Sequence, residues 1–171
     1  MPKKKFDVEI PLLNTSIGVL GPGKTIKLDL TRMTKGKNME AVFSVSGGIA
    51  KEKKLFLLSS YIARIMRTGV SYVEDSFSCK AKNALLRVKP FLLTRKKVSR
   101  AIRKALRDKC RKLIEKYCAE KNTREIFSAI ISSNLQRELA GKLKKIYPLA
   151  VCEIRVIEIE KEEELEGEKK K

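Results

Sequence analysis

The chain, 171 residues long, contains no histidine and no tryptophan. Without an imidazole there can be no Ser-His catalytic triad and no histidine-ligated metal. Aromatic residues are also few, with six phenylalanines and four tyrosines spread along the sequence. Proteins that bind single strands by stacking successive bases group several rings together, and this chain does not predict such a platform.

Cysteine is scarce as well, with Cys79, Cys110, Cys118 and Cys152 as its four positions. Zinc knuckles and ribbons need close pairs of cysteines, a spacing that is missing here. Cys110 and Cys118 fall on the apolar side of a predicted helix, and Cys152 lies in a hydrophobic run. We therefore expect four small core residues, with no metal and no cofactor.

Long apolar runs are also missing, since no stretch approaches the ~18 residues that a membrane span requires. The first ten residues, MPKKKFDVEI, lack the apolar region of a secretory signal. We expect a cytosolic chain in a reducing compartment, without a membrane partner.

Basic residues are what the chain has in excess. Lysine and arginine number 39 against 20 acidic residues, giving a net charge of +19 and an isoelectric point near 9.9. A balance of this kind is the electrostatic footprint of a protein that binds nucleic acid.

These basic residues are concentrated between positions 96 and 121, where the pattern predicts one long amphipathic helix. Apolar residues recur there at steps of three and four, namely Val98, Ile102, Ala105, Leu106, Cys110, Leu113, Ile114, Tyr117 and Cys118. The opposite side carries a row of Arg100, Lys104, Arg107 and Arg111, broadened by Lys96, Lys97, Arg103 and Lys112. Because only Asp108, Glu115 and Glu120 are acidic, the row repels itself. It predicts contact with an external polyanion.

Elsewhere the pattern favours strands as often as helices. Alternation predicts strands at residues 6–10, 26–30, 39–45, 53–58 and 149–159, with a long hairpin of residues 70–82 and 84–94 that turns at Asn83. Helices are predicted at residues 61–68, from Thr123, and from Ser133 or Asn134, while residues 18–23 form a turn-rich loop.

Because these elements do not alternate regularly, we predict an α+β fold. Its core is an antiparallel β-sheet or is barrel-like, with the long basic amphipathic helix, two shorter C-terminal helices and a final return strand. Residues 1–5 are a basic N-terminal arm, residues 6–159 a single α+β RNA-binding domain, and residues 160–171 a charged, disordered tail.

Residues 18–25, GVLGPGKT, match the P-loop expression GxxxxGK[ST]. That chemistry needs a helix directly after the loop and backbone amides around the phosphates. Pro22 removes one amide, and the following TIKLDL has the period of a strand. We therefore reject nucleotide hydrolysis and expect Lys24 to touch an RNA phosphate at most.

The order of these segments resembles a family of small-subunit ribosomal proteins shared by archaea and eukaryotes, the S-one-e family, formerly S-three-a-e. The resemblance covers residues 6–159 and rests on FSCKAKNALLRVKPF at 77–91, Thr94-Arg95, SRAIRK at 99–104, KIYPL at 145–149 with the strand after it, and LSSYI at 58–62. Lys82-Asn83-Ala84 stands where the family usually turns on Asp-Gly, and Ser59-Ser60 replaces a charged Arg-Asp pair. The short build and Lys/Glu/Ile-rich composition indicate the archaeal type.

The resemblance implies a structural constituent of the small ribosomal subunit, not an enzyme, located on the platform near the messenger RNA exit. Its partners would be the 3′ region of the small-subunit ribosomal RNA and neighbouring platform proteins, with one copy per ribosome in the cytoplasm. The alternatives are a free nucleic-acid-binding protein of chaperone or chromatin type, a P-loop NTPase, and a peripheral membrane protein.

The candidate RNA-binding residues are the basic side chains of the hairpin, the long helix and two loops. They are Lys80, Lys82, Arg87, Lys89, Arg95, Lys96, Lys97, Arg100, Arg103, Lys104, Arg107, Arg111, Lys24, Lys35 and Lys37.

Overall fold

The computed structural model of the chain describes residues 5–20, 25–46 and 48–162. Nine strands and four helices lie in these ranges, which confirms the predicted α+β class. In chain order they are β1 (Lys5–Ile10), β2 (Thr15–Leu20), β3 (Thr25–Asp29), β4 (Met39–Ser46), β5 (Ile49–Leu57), α1 (Ser59–Ile65), β6 (Tyr72–Glu74), β7 (Phe77–Lys80), β8 (Ala84–Thr94), α2 (Arg100–Glu120), α3 (Thr123–Ile131), α4 (Asn134–Leu143) and β9 (Leu149–Glu162). None of these helices is long and apolar enough to cross a membrane.

The nine strands form one sheet, whose neighbours are antiparallel except where β1 meets β5. One edge of β5 pairs with β4, and its other edge pairs first with β1 and then with β9. β9 pairs with β8 from end to end, and β6 and β7 follow one another along the far edge of β8. The predicted final return strand is confirmed, and it lies in the middle of the sheet, between β5 and β8.

Strand β8 alternates between the core and the surface until it reaches a proline. Leu86 and Val88 are fully buried, whereas Arg87 and Lys89 are exposed. Pro90 has no N–H for the ladder, and the register with β9 shifts between Lys89 and Pro90, so a bulge accommodates it. From Pro90 to its end the strand is buried at every residue, as expected for a strand covered on both faces.

Helix α2 packs against β6, β7 and α4. Its buried residues follow one another at steps of four and are Leu106, Cys110, Ile114 and Cys118. The helix begins at Arg100 rather than at Lys96, because the Ser99 hydroxyl accepts a hydrogen bond from the Ile102 N–H at 3.4 Å and caps it there. The predicted helix was therefore too long at its N-terminal end. The observed helix ends at Glu120, one residue before the predicted end.

Several other elements differ from their predicted ends. Residues 18–20 complete strand β2, which pairs with β1 across the turn at residues 11–14, so the predicted loop there was partly wrong. β9 continues through Glu162, which lies opposite Ala84, so this strand enters the segment assigned to the tail. Residues 1–4 of the predicted arm, residues 163–171 of the tail and Lys24 lie outside the described ranges.

The tip of the β7–β8 hairpin is fastened to the junction between α2 and α3. The side-chain oxygen of Asn83 accepts hydrogen bonds from the Thr123 N–H at 3.0 Å and from the Thr123 hydroxyl at 2.6 Å. The Lys82 N–H donates to the Lys121 carbonyl at 3.3 Å. Asn83 thus supplies, from another element, the acceptor that a helix N-terminus needs.

All four cysteines are free and buried, as predicted for small core residues. Burial raises the pKa of the Cys110 thiol to about 12. A thiol of this kind stays protonated near neutral pH and is a poor nucleophile.

Lys37 and Glu153 form an ion pair inside the fold. The Lys37 ammonium is 2.7 Å from a Glu153 carboxylate oxygen and 3.0 Å from the Ser133 hydroxyl. The Glu153 side chain is 8% exposed and that of Lys37 is 19% exposed. Burial raises the pKa of the Glu153 carboxyl, and the Lys37 ammonium offsets part of that rise. Lys37 therefore ties the turn after β3 to β9 and α4.

We expect Leu106→Ala to lower the free energy of unfolding by about 2–5 kcal/mol, since Leu106 is fully buried and the change leaves a cavity. Leu113→Ala on the same helix is the matched control, because Leu113 is only partly buried and should cost less. Urea denaturation of both variants measures the difference. Equal losses would mean that α2 does not pack through the Leu106 stripe.

We expect Lys37→Met to lower the free energy of unfolding by about 3 kcal/mol near neutral pH, the low end for breaking a buried ion pair because Lys37 is partly exposed. Without the cation, the raised pKa of Glu153 rises further. The folded chain then binds this proton more tightly than the unfolded chain, so the loss grows as the pH rises. It should shrink as the pH falls toward the ordinary glutamate pKa of about 4.3.

Urea denaturation at several pH values measures this dependence, with Lys35→Met, an exposed lysine of the same turn, as the control. A loss that is independent of pH, or that is the same in the control, would contradict the role of the ion pair.

Candidate RNA-binding interface

The basic loop at residues 95–97 is held in place by two hydroxyl residues. Ser71 and Thr94 exchange backbone and side-chain hydrogen bonds, with the Thr94 N–H 2.9 Å from the Ser71 carbonyl and the Ser71 N–H 3.0 Å from the Thr94 hydroxyl. The Thr94 hydroxyl also lies 2.7 Å from the Lys96 carbonyl, and the Val98 N–H donates to the Ser71 hydroxyl at 3.2 Å. These bonds shape the turn from β8 into α2 and leave the side chains at 95–97 exposed.

The N-terminal half of α2 continues this basic surface. A cleft of about 390 Å³ lies between the helix and strand β6. Its lining residues are Tyr72, Arg100, Arg103, Lys104, Arg107 and Asp108. Four predicted RNA-binding residues are thus brought to one cleft, beside the exposed loop that carries three more.

The charges of α2 oppose its own dipole. The first turn contains no acidic residue and the last turn no basic residue, whereas Arg100 and Arg103 lie in the first turn and Glu120 in the last. The C-cap residue Lys121 directs its ammonium to the Tyr117 hydroxyl at 2.9 Å. Since anions stabilise a helix N-terminus and cations its C-terminus, this arrangement costs the free protein stability and favours an external anion at the N-terminal end.

Arg107 also lines a second cleft, of about 660 Å³, at the end of β6. Lys89 lines it, so this predicted residue lies close to the α2 row. The second cleft is mixed in sign, because Glu74 and Asp75 contribute carboxylates. An Arg155 guanidinium nitrogen lies 2.9 Å from Glu74, which neutralises part of the cleft internally.

Two predicted arginines are engaged with other residues of the chain. Arg111 donates to Glu115 at 2.9 Å, and its guanidinium lies 5.2 Å from the centre of the Phe77 ring. A guanidinium nitrogen of Arg87 lies 3.2 Å from Glu160 across the β8–β9 pair. Both side chains remain about half exposed, but their nearest counter-ions are within the chain.

The remaining predicted residues lie elsewhere in the fold. Lys80 and Lys82 flank the hairpin tip, which is fastened to the C-terminal end of α2 rather than to its basic start. Lys35 lies in the turn after β3 with a positive φ of 56° and an exposed side chain. Lys37, in the same turn, is committed to Glu153. The structure therefore groups Arg95 to Arg107 with Lys89 and places Lys35, Lys37, Lys80 and Lys82 away from this group.

Tyr72 is the residue of this surface that the sequence did not predict. It is 52% exposed and lines the cleft together with the arginines of α2. Its ring stacks on the buried Phe91, with centroids 6.5 Å apart and planes 19° apart. The four tyrosines are far apart in the sequence, so only the strand register reveals that one of them lies next to the basic row.

Comparison with known proteins gives a family match for residues 27–163, to the ribosomal S3Ae family. The match covers most of the sheet, all four helices and the whole candidate interface.

Three relatives, each named small ribosomal subunit protein eS1, come from archaea. The protein of Halorubrum lacusprofundi is 37% identical over 111 residues, which is 63% of this chain and 50% of that protein. The protein of Nanoarchaeum equitans is 26% identical over 150 residues, or 82% of this chain and 76% of that protein. The protein of Methanothermobacter thermautotrophicus is 27% identical over 104 residues, or 58% of this chain and 53% of that protein. The chain thus spans about half the length of the first and third of these relatives.

Proposed function

The chain belongs to the ribosomal S3Ae family and is of its archaeal type, and from this premise we propose that it is a structural constituent of the small ribosomal subunit that binds ribosomal RNA. Its role there is to hold RNA rather than to catalyse a reaction. The contact is made by the basic surface of the 95–97 loop and the N-terminal half of α2.

The observation that carries this proposal is the charge of α2. Cations are gathered at the end of the helix where its dipole already repels them, and Asp108 is the one acidic residue that lines their cleft. RNA phosphates relieve both the mutual repulsion of the row and its conflict with the dipole. Contacts of this kind fix the position of the protein on RNA without selecting a sequence.

We further propose a location on the platform of the subunit, near the messenger RNA exit, as the family resemblance implies. The RNA partner is then the 3′ region of the small-subunit ribosomal RNA, and the protein partners are its neighbours on the platform. One copy per ribosome, in the cytoplasm, follows from such a role.

We expect the affinity for a small-subunit ribosomal RNA fragment to fall with salt, and Arg100→Gln, Lys104→Gln and Arg107→Gln together to reduce that dependence. Each phosphate contact contributes about 0.7–0.9 to the slope of log K against log salt, so the slope should shrink by about 2 to 3 units. Glutamine keeps a similar helix propensity, so α2 should still form. Filter-binding titrations at several salt concentrations measure both slopes.

The matched control is Lys109→Gln, Lys112→Gln and Lys116→Gln, which removes the same charge from exposed positions of α2 outside the cleft. The two triple variants lose the same net charge and have similar helix propensity, so they differ in whether the lost charges line the cleft. The control should therefore keep the salt slope of the wild type. Equal reductions in the two variants would mean that the helix attracts RNA only through its overall charge.

In cells of the source organism, a tagged copy should sediment with salt-washed small subunits at one copy per particle. The triple variant of the cleft should shift toward the soluble fractions, because it lacks phosphate contacts that anchor it. Sucrose-gradient sedimentation followed by immunoblotting measures the distribution. Wild-type protein that spreads through the soluble fractions would instead favour a free nucleic-acid-binding protein of chaperone or chromatin type.

A further inference from the structure

Tyr72 is an exposed ring whose orientation is fixed. One face is supported by Phe91, which is 1% exposed and stacks on it in an offset parallel arrangement. The backbone at the ring is held to β8, by the pairing of Tyr72 with Leu93 and by the hydrogen bonds between Ser71 and Thr94. A ring held in this way loses little conformational entropy when a ligand covers its open face.

In the part of the chain that the structure describes, Phe91 is the one ring that stacks on Tyr72, so the other face of Tyr72 is open. Elsewhere in the fold, cations lie over aromatic rings, as with Lys121 at 4.2 Å from the Tyr117 centroid and Arg64 at 5.7 Å from that of Tyr61. Among the residues that the structure describes, no cation lies over Tyr72, although four line the same cleft. The ring and the cations are therefore neighbours that leave a space between them.

The cleft combines the two kinds of group that bind a nucleotide outside a duplex. Cationic side chains can pair with phosphates, and an aromatic ring can stack on the face of a base. The cleft has four such cations, Arg100, Arg103, Lys104 and Arg107, and one such ring, Tyr72. A paired base in an A-form helix is covered by its neighbours above and below, so it cannot reach such a ring. An unpaired base in a loop, a bulge or a strand end can.

We propose that this cleft is a binding site for a single unpaired nucleotide of RNA, whose base stacks on the open face of Tyr72 while the arginines of α2 hold the phosphates beside it. This inference rests on the proposed function and adds that the RNA at this point is single-stranded. Stacking accepts any base, so the site recognises the unpaired state rather than a sequence.

The test compares two probes: an oligouridine strand and a blunt RNA duplex with the same number of phosphates. We expect Tyr72→Leu, which keeps an apolar cover over Phe91 but removes the ring, to weaken binding of oligouridine by about fivefold to a hundredfold. Binding of the duplex should be unchanged, as should the salt slope for oligouridine, because no charge is lost. Tyr72→Phe, the matched control that keeps the ring, should bind both probes as the wild type does.

A second measurement uses the wild-type chain alone. With one 5-iodouridine in the oligouridine strand, irradiation should cross-link the RNA to Tyr72, as peptide mass spectrometry would detect. The same base placed inside the duplex should give no cross-link to this residue. This readout does not depend on how well the leucine variant folds.

Each outcome decides the inference. If the wild type binds both probes with a salt dependence but Tyr72→Leu affects neither, or weakens both equally, the stacking site is overturned while the proposed function stands. If the wild type binds neither probe, the proposed function itself fails. If Tyr72→Leu leaves RNA binding intact but lowers incorporation into small subunits, the ring contacts a neighbouring protein, which also overturns the inference.

Discussion

The structure depends on how two elements of similar length, strand β8 and helix α2, are fixed relative to each other, since α2 packs on β6 and β7, the strands that pair with β8. Eleven residues of strand extend about 37 Å, and twenty-one residues of helix extend about 31 Å. Both ends of this arrangement are fastened, at one end by Asn83 to the start of α3 and at the other by Thr94 to Ser71. The core forms between these two ends, and the position of the basic cleft follows from them.

Much of this fold can be predicted from residue periodicity. The apolar stripe of α2 and the hydrophobic pattern of residues 84–94 are local, and both predicted the correct element; the stripe of α2 also predicted the face that is buried. The ends of elements were harder to predict, because lysine is equally compatible with a helix and with a loop. Nothing in the pattern distinguishes Lys96 and Lys97 from residues of the helix. The signal for the true start is one side chain, the N-cap Ser99. β2 was not predicted, because Gly18 was assigned to a turn rather than to a paired strand.

The candidate interface was harder to predict than the fold. The sequence shows that basic residues are abundant, but it does not show which of them come together in space. Arg87 and Lys37 are paired with carboxylates of β9, far away in the chain, and only the tertiary fold brings Glu160 and Glu153 to them. For the same reason Tyr72 is near Phe91 and the α2 arginines without any sequence signal. Charge alone therefore predicts a polyanionic partner, while the three-dimensional pairing decides which cations remain available to such a partner.

A helix charged against its own dipole also links the lifetime of the protein to the supply of its ligand. A polyanion that binds the folded chain and not the unfolded one stabilises the fold by mass action, by about 2.7 kcal/mol when its free concentration is a hundred times the dissociation constant. On the proposed function, copies made in excess of their RNA keep the unrelieved repulsion of α2 and unfold more often. On the same proposal, proteolysis, which acts on unfolded chains, removes the excess first, so the abundance of the protein follows that of the RNA.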